Sequence, residues 1–169
     1  MLSKLHKNLG IPDDYGSDGQ KPAYREATDL VEVGENPVGR MQRLSVATAA
    51  AWRDMQQAAA ADGVELVLVS GYRSFEYQAG LIRKKLESGQ SLGDILAVNA
   101  APGFSEHHTG RAIDIATPGP EPLTEAFEQT AAFAWLSQNA SRFGFSMTYP
   151  RDNPQGFIYE PWHWAKSAV

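Results

Sequence analysis

The order of helix-like and strand-like segments restricts the fold of this 169-residue chain more than any other feature of its sequence. An Ala-rich run over residues 45–61 carries apolar side chains at three- and four-residue spacing, which predicts an amphipathic helix. The runs that suit strands are short and mostly late: they cover residues 64–69, 111–115, 145–148 and 157–164. This order predicts an α+β fold in which a small antiparallel sheet is flanked by helices.

Capping residues predict three further helices. A serine begins each of the helices predicted at residues 74–87 and 91–98, because its hydroxyl can accept a hydrogen bond from a free amide of the first turn. Thr124, followed by an acidic residue, predicts the start of a last long helix that ends at Arg142-Phe143-Gly144. Helices are therefore expected before and between the short strands.

Residues 1–35 are interpreted as an irregular N-terminal arm, and residues 36–169 as the single folded domain. From residue 10 onward the arm is rich in Gly, Pro, Asp and Asn, which favour turns. One short strand is expected within the arm, over residues 29–33.

The composition excludes several classes of function. A formal net charge of −5 with scattered Lys and Arg residues provides no basic surface, so nucleic acid is not expected as a partner. The chain has no cysteine, which excludes thiol nucleophiles, disulfides and Cys-ligated zinc and leaves His, Asp and Glu as strong metal ligands. A chain of this length buries enough surface to fold without a partner, so a monomer is expected.

The N-terminal segment mixes charged residues with isolated leucines. It contains no apolar run of the length that a signal peptide or a membrane anchor needs. A cytoplasmic protein with no membrane contact is therefore expected, or a periplasmic one if a leader has been removed.

Three of the four histidines lie in two short polar clusters in the second half of the chain. A catalytic zinc ion takes three protein ligands from imidazole and carboxylate groups and leaves its fourth position to water. His107, Asp114 and His163 can supply such a set. Gly110 lies between the first two and allows the chain to fold back, because glycine tolerates a positive φ angle.

Glu160 precedes a proline, which biases it toward extended backbone and excludes the helical His-Glu-x-x-His arrangement of many metalloproteases. It would therefore have to act from the end of a strand or from a bulge. A carboxylate there can take a proton from the attacking water and later pass it to the departing amine.

Each of these residues also has an ordinary structural interpretation, and the residues alone leave it open. A histidine is more often a hydrogen-bonded structural residue than a metal ligand. Asp114 also suits a solvated strand position, Glu160 a surface charge, and Arg73 an ion pair on a turn. His6, near the terminus, and His108, next to the better-placed His107, are interpreted as structural residues.

Three motifs together resemble one known family. They are Ser-Gly-Tyr-Arg-Ser at residues 70–74 with Gln78 downstream, Ser-x-His-x-x-Gly-x-Ala-x-Asp at residues 105–114, and Glu-Pro-Trp-His at residues 160–163. Their order and separations resemble the VanY-type D-alanyl-D-alanine carboxypeptidases of the lysostaphin, D-Ala-D-Ala metallopeptidase and hedgehog superfamily. The resemblance covers residues 36–165.

This resemblance implies a hedgehog-like and D-Ala-D-Ala-peptidase-like α+β fold with a Zn²⁺ cofactor. The implied site residues form three groups: the zinc ligands His107, Asp114 and His163; the catalytic residues Glu160 and Arg73, the latter for the oxyanion or substrate carbonyl; and the substrate-binding side chains Tyr72, Gln78, Ser105 and Trp162. A guanidinium suits the role given to Arg73 because it offers several donors and stays cationic.

The sequence departs from the family pattern at two positions near the pocket. Gln155-Gly156 stands where the family often has Thr-Gly, and Ala165 stands where it often has an arginine after the final ligand. Because an arginine there would bind a terminal carboxylate, these departures bear on substrate choice and pocket shape and leave the zinc chemistry intact.

The resemblance implies a zinc metallopeptidase that releases the C-terminal D-alanine from peptidoglycan stem peptides, by a D,D cut in a pentapeptide or an L,D cut in a tetrapeptide. A cytoplasmic location would slightly favour the L,D cut, since recycled fragments are met there. One alternative is a lysin-like peptidoglycan endopeptidase, which the acidic charge disfavours because lysins gain from positive charge at anionic walls. The other is a non-catalytic, zinc-containing peptide-binding module, which the presence of Glu160 and Arg73 disfavours.

Overall fold

The computed structural model describes residues 1–168 of the chain. Its α-helices are α1 (Leu2–Leu9), α2 (Val46–Ala61), α3 (Phe75–Glu87), α4 (Leu92–Val98) and α5 (Ala131–Asn139). Its strands are β1 (Leu30–Glu35), β2 (Met41–Ser45), β3 (Val67–Ser70), β4 (Ala112–Ala116), β5 (Phe145–Met147) and β6 (His163–Lys166). Short 3₁₀ helices cover Glu106–Thr109, Glu125–Gln129 and Ala140–Phe143. The α+β class with small antiparallel sheets is confirmed.

The larger sheet has four antiparallel strands in the order β3-β4-β6-β5. Its register pairs Asp114 of β4 with Ser70 on one side and with His163 on the other. Directly paired residues on neighbouring strands point to the same face, so these three side chains form one row across the sheet. The register of the sheet is what brings the last motif of the chain beside the earlier two.

The main hydrophobic core lies on the opposite face of this sheet. Ile113 and Ile115 of β4 are fully buried there, against Trp52 and Met55 of α2 and Leu136 of α5. Side chains alternate across a strand, so these isoleucines point away from Asp114 as the alternation predicts. All five residues of β4 are buried, because the polar face is covered as well.

Helices α3 and α4 begin where the sequence predicts. The hydroxyl of Ser74 accepts a hydrogen bond from the amide of Tyr77, and that of Ser91 accepts one from the amide of Asp94. Both are N-cap bonds that satisfy otherwise free amides of the first turn. Ser45, the residue before α2, makes no such side-chain bond.

The first thirty-five residues contain more regular structure than the sequence predicts. Residues 2–9 form helix α1, and Leu5 and Leu9 pack with Ile82 of α3 and Ile95 of α4 in a second, smaller core. His6 is hydrogen-bonded through Nε2 to the carbonyl oxygen of Pro102, at 2.7 Å. An eight-residue helix is marginal in isolation, so its stability comes from this tertiary packing, which the local sequence does not reveal.

The prediction of one long helix from Thr124 is wrong. Residues 125–129 form a 3₁₀ helix, and Thr130 interrupts the helical backbone with φ −95° and ψ 157°. Its hydroxyl accepts a hydrogen bond from the amide of Phe133 and so begins α5. Threonine offers its oxygen to nearby amides more readily outside a helix than inside one, which explains the break.

The strand predicted over residues 157–164 is also much shorter than expected. Residues 157–160 have no strand partner, Pro161 and Trp162 form a turn, and β6 begins only at His163. Pro161 has no amide to donate to a neighbouring strand, so regular pairing cannot pass through it.

A two-stranded hairpin, β1 with β2, packs beside the main sheet and precedes α2 directly. Within residues 1–168, no helix combines the length and the apolar character needed to cross a membrane.

Candidate metal centre and active site

Three different elements supply the side chains that the sequence predicts as metal ligands. His107 lies in the 3₁₀ turn before β4, Asp114 lies on β4, and His163 is the first residue of β6. Gly110 ends the 3₁₀ turn with φ 67°. A Cβ atom at Gly110 would lie 2.9 Å from the amide nitrogen of Ser45, so the position requires glycine for both its backbone angle and its space.

The three side chains converge to within ligand distance of a common point. Asp114 Oδ1 lies 3.3 Å from His107 Nε2 and 3.1 Å from His163 Nδ1, and all three atoms lie within 4.8 Å of one another. A tetrahedral zinc ion with bonds of about 2.0–2.2 Å holds its ligand atoms roughly 3.4 Å apart. Two imidazoles and one carboxylate at this spacing fit zinc with one open position.

Hydrogen bonds on the far side of each ring select the nitrogen that faces the site. His107 Nδ1 donates to the carbonyl oxygen of Gly71 at 2.7 Å, which leaves Nε2 to face Asp114. His163 Nε2 donates to Glu106 Oε1 at 2.8 Å, which leaves Nδ1 to face the same carboxylate. Such bonds fix the orientation and tautomer of a metal-binding histidine.

Glu106 is a residue of the site that sequence reasoning missed. Besides His163 it contacts Thr148, whose hydroxyl donates to Glu106 Oε1 at 2.6 Å. Its side chain is only 15% exposed, and its pKa stays below the usual value because the bonds to His163 and Thr148 outweigh the effect of burial. Its position next to His107 in sequence was the only available signal, since its partner lies 57 residues away.

Arg73 lies at the edge of the metal group. Its Nη2 donates to Asp114 Oδ2 at 2.9 Å and its Nε donates to the hydroxyl of Ser70 at 2.9 Å. The outer oxygen of Asp114 is therefore bound to Arg73, while the inner oxygen faces the two histidines. The guanidinium is oriented by these two bonds and keeps further donors for a bound molecule.

His108 has the structural place that the sequence interpretation gave it. It is fully buried, its Nδ1 donates to the carbonyl oxygen of Arg73 at 2.6 Å, and its Nε2 accepts from the amide of Gly103 at 3.1 Å. Its ring therefore supports the backbone that carries Arg73 and faces away from the metal group.

Glu160 reaches the site from the loop before β6. Its amide donates to the carbonyl oxygen of Tyr149 and its own carbonyl accepts from the amide of His163. Glu160 Oε2 lies 3.7 Å from His163 Nδ1. Burial raises the pKa of Glu160 to about 7 despite the opposing effect of His163. A carboxyl group with such a pKa can both accept and release a proton near neutral pH, as general acid–base catalysis requires.

The protonation states of the two histidines are pushed in opposite directions. Burial and the nearby Arg73 lower the pKa of His107 to about 4. Burial alone would also lower the pKa of His163, but its hydrogen bonds to Asp114 and Glu106 raise it to about 10. Burial would raise the pKa of Asp114, but His107, His163 and Arg73 hold it well below its usual range. At neutral pH the metal-free site therefore holds one imidazolium among carboxylates.

Zinc binding is expected to release about one proton per ion at neutral pH, because His163 must lose its Nδ1 proton to bind a metal. The pKa of His163 is about 10 in the fold against 6.5 ordinarily. The imidazolium therefore stabilises the metal-free fold fully below pH 6.5, and this contribution is lost as the pH rises through 10. Calorimetry of zinc binding in buffers of different ionisation enthalpy measures the proton count. Heats that do not depend on the buffer would contradict this assignment.

A cavity of about 250 Å³ opens over the metal group. Gln78, Ser105 and Trp162 line it, as the sequence predicts for substrate-binding side chains. Gln78 is 1% exposed, donates through Nε2 to the carbonyl oxygen of Ala100, and has no partner for its buried Oε1. Tyr149 also lines this cavity and was not predicted.

Tyr72 lies elsewhere than the other predicted substrate residues. It lines an adjoining cavity, while its amide donates to the carbonyl oxygen of Arg43 at 2.8 Å. The predicted side chains are thus divided between two neighbouring cavities that have Arg73 in common.

The fold, with three potential metal ligands beside its four-stranded sheet, matches a known protein family. Residues 41–166 match the VanY family, described as D-alanyl-D-alanine carboxypeptidase. Since the match covers most of the chain, this protein belongs to the VanY family.

Two solved structures and one curated protein show how close the similarity is. The chain is 34% identical over 171 residues to the putative carboxypeptidase YodJ of Bacillus subtilis (strain 168), covering 96% of this chain and 58% of YodJ. The LdcB LD-carboxypeptidase superimposes with a TM-score of 0.74 at 35% identity, covering 86% of this chain and 71% of LdcB. A variant of the vancomycin-resistance D,D-pentapeptidase VanY in complex with Zn(II) superimposes with a TM-score of 0.64 at 29% identity. This match covers 86% of this chain and 82% of the VanY variant.

The chain spans less than two thirds of the length of YodJ. LdcB and VanY each align with 86% of this chain, which is more of the chain than residues 41–166, the part that matches the VanY family.

Proposed function

We propose that this protein is a zinc-dependent carboxypeptidase that releases the C-terminal D-alanine from peptidoglycan stem peptides. The observation that carries the proposal is the meeting of three zinc-type ligand atoms with a buried carboxyl group and a guanidinium at one small cavity. All of these groups belong to one chain, so the proposed site needs no residue from a second copy. The Zn(II) complex of a VanY relative supports zinc as the metal.

In the proposed mechanism His107, Asp114 and His163 hold the zinc ion. The ion, when bound, supplies a Lewis acid that polarises the scissile carbonyl and makes water more acidic. Glu160 takes a proton from the attacking water and later gives it to the departing amine, for which its pKa of about 7 is well suited.

Arg73 has the role of stabilising the negative charge that develops on the carbonyl oxygen. Its hydrogen bonds to Asp114 and Ser70 hold the guanidinium in one orientation before substrate arrives. Donors that are already oriented stabilise a transition state without a cost of rearrangement at that moment.

The substrate-binding roles of Gln78, Ser105 and Trp162 rest on their shared position in the small cavity. The buried, unpaired Oε1 of Gln78 is an acceptor for a substrate N–H group. A substrate donor there would remove the energetic cost of an unsatisfied buried oxygen, which favours a bound peptide over an apolar molecule.

The preferred cut is proposed to be the L,D bond of a tetrapeptide. The similarity to the LD-carboxypeptidase LdcB, at 35% identity and a TM-score of 0.74, exceeds that to the D,D-pentapeptidase VanY, at 29% and 0.64.

The test is to incubate the zinc-loaded protein with a tetrapeptide stem and with a pentapeptide stem and to follow alanine release by mass spectrometry. We expect release from both substrates to require zinc, with the larger kcat/KM for the tetrapeptide. Release of alanine from neither stem would refute the carboxypeptidase activity, and a clear preference for the pentapeptide would refute the L,D assignment alone.

A further inference from the structure

The cavity over the metal group is too small for a whole stem peptide. Its volume is about 250 Å³, whereas pockets that enclose a drug-sized ligand measure about 300–1,000 Å³. A carboxypeptidase has only one residue on the leaving side of the cut. The longer, acyl side of the substrate must therefore extend beyond this cavity.

A larger cavity of about 450 Å³ adjoins it. The two share four lining residues, Arg73, Lys85, Asn99 and Leu123. A third cavity, lined by residues of the 151–159 segment, shares only Phe157 with the cavity over the metal group. The larger cavity, which we call the hairpin cleft because β2 forms one wall, is thus the more continuous path for the acyl side.

The hairpin cleft is positively charged although the protein as a whole carries a net charge of −5. Its charged lining residues are Arg40, Arg43, Arg73 and Lys85, and no Asp or Glu is among the lining residues. Opposite charge in a cleft with low-dielectric walls attracts an anionic ligand and repels a cationic one.

Two of these cationic side chains, Arg40 and Arg43, contact tyrosine side chains of the cleft. The guanidinium of Arg43 lies 5.3 Å from the centre of the Tyr72 ring. Arg40 Nη1 donates to the hydroxyl of Tyr77 at 3.1 Å. These contacts limit the positions of otherwise exposed arginines and leave further guanidinium donors for a ligand.

The backbone that carries both arginines is tied to the active-site side of the fold. Asn36 Nδ2 donates to the carbonyl oxygen of Val69, while Asn36 Oδ1 accepts from the amide of Arg40. Gln42 Oε1 accepts from the amide of Gly71 at 2.9 Å. These bonds join both ends of the β1–β2 turn to the segment that leads into Arg73. Arg40 and Arg43 therefore keep a defined position relative to the metal group.

We propose that the hairpin cleft is a subsite in which Arg40 and Arg43 bind a free carboxylate on the acyl side of the substrate. This inference rests on the proposed function, because it takes the cavity over the metal group as the place of the cut. The ligand class is a peptide that bears an ionised carboxyl group on the acyl side of the cut, such as the glutamyl residue two positions upstream of the cut in a tetrapeptide stem. A peptide in which that group is a neutral carboxamide binds more weakly.

The test measures binding rather than turnover. The probes are the reaction product L-alanyl-γ-D-glutamyl-L-lysine and its twin in which the α-carboxylate of the glutamyl residue is a carboxamide. Calorimetry with the zinc-loaded protein is expected to show about tenfold tighter binding of the carboxylate, which corresponds to about 1.4 kcal/mol. The preference should shrink at high salt, because Arg40 and Arg43 are exposed and screened.

Arg40→Gln and Arg43→Gln should each reduce the preference, while Arg53→Gln, on the exposed side of α2 and outside both cavities, should retain it. The subsite proposal would be overturned by any of three results. These are no binding of the carboxylate peptide, equal binding of the carboxylate and carboxamide peptides, or a full preference for the carboxylate peptide in both cleft variants. A retained preference in a protein that releases no alanine from stem peptides would support the subsite and refute the proposed activity alone.

Discussion

Replacing Glu160 with glutamine is expected to lower kcat for alanine release by roughly a thousandfold, within the range that a single general acid–base group contributes. Glutamine has nearly the shape of glutamate but cannot take up and return a proton. The decrease in kcat is measured by quenching the reaction of the zinc-loaded variant at set times and quantifying the released alanine by mass spectrometry. Because Glu160 is not one of the three proposed ligands, zinc content should stay at one ion per chain.

The stability of this variant provides an independent check. Burial raises the folded-state pKa of Glu160 to about 7, against an ordinary value of 4.5. An acid with a raised pKa destabilises the fold when it ionises, and this cost grows from pH 4.5 and is complete above pH 7. Glu160→Gln should therefore unfold at the same or a higher temperature than the parent at neutral pH.

Glu32→Gln is the matched control, since Glu32 is an exposed carboxylate on β1. It should retain both turnover and zinc. Wild-type turnover by a zinc-loaded Glu160→Gln protein would refute the role of Glu160, whereas a variant that loses zinc would show that Glu160 contributes to the metal site itself.

Replacing Glu106 with alanine is expected to weaken zinc affinity by about 10–100-fold, the range seen when a carboxylate behind a metal-binding histidine is removed. Glu106 accepts the Nε2–H of His163 at 2.8 Å and is itself held by Thr148. Without it the His163 ring loses the partner that fixes its tautomer and orientation. Competition with a chelator of known affinity measures the effect directly, without reference to turnover.

Glu106→Gln separates orientation from charge. The amide oxygen of glutamine can still accept from His163, so this variant should bind zinc with an affinity between those of the parent and Glu106→Ala. Equal zinc affinity in the parent and in Glu106→Ala would show that Glu106 does not position the ligand. An affinity of Glu106→Gln equal to that of Glu106→Ala would assign the whole effect to its charge.

The metal-free site concentrates opposite charges in a small buried volume. Arg73 and the His163 imidazolium offset the carboxylates of Asp114 and Glu106, at distances of 2.8–3.1 Å. Removing one member of such a group leaves an uncompensated buried charge, which is strongly destabilising.

Local hydrogen bonding explains which helices could be predicted from the sequence. The caps at Ser74 and Ser91 depend on residues three positions away, and both helices begin as predicted. Thr130 offers the same kind of local signal, but the apolar spacing on both sides of it led to the prediction of one continuous helix. Helix α1 depends on packing against α3 and α4, which no pattern within residues 2–9 reports.

The position of the hairpin cleft likewise depends on contacts that are distant in sequence. Tyr72 was expected beside Gln78 and Ser105, but the pairing of its backbone with Arg43 puts it in the adjoining cavity. Arg43 of β2 and Arg40 just before that strand carried no functional signal of their own, because their significance comes from the cleft they share with Lys85.

The sequence by itself determined the kinds of chemical group available and their order along the chain: two imidazoles, a carboxylate, a base and a guanidinium in three motifs, with no cysteine to compete. Only the tertiary structure decided that Asp114 pairs with His163, that Glu106 holds the far nitrogen of that ring, and that the cleft beside them is basic. The physical reason is the separation along the chain of the residues that interact. Caps and turns depend on atoms within a few residues of one another. A metal site depends on strand register, which is set by the pairing of strands far apart in the chain.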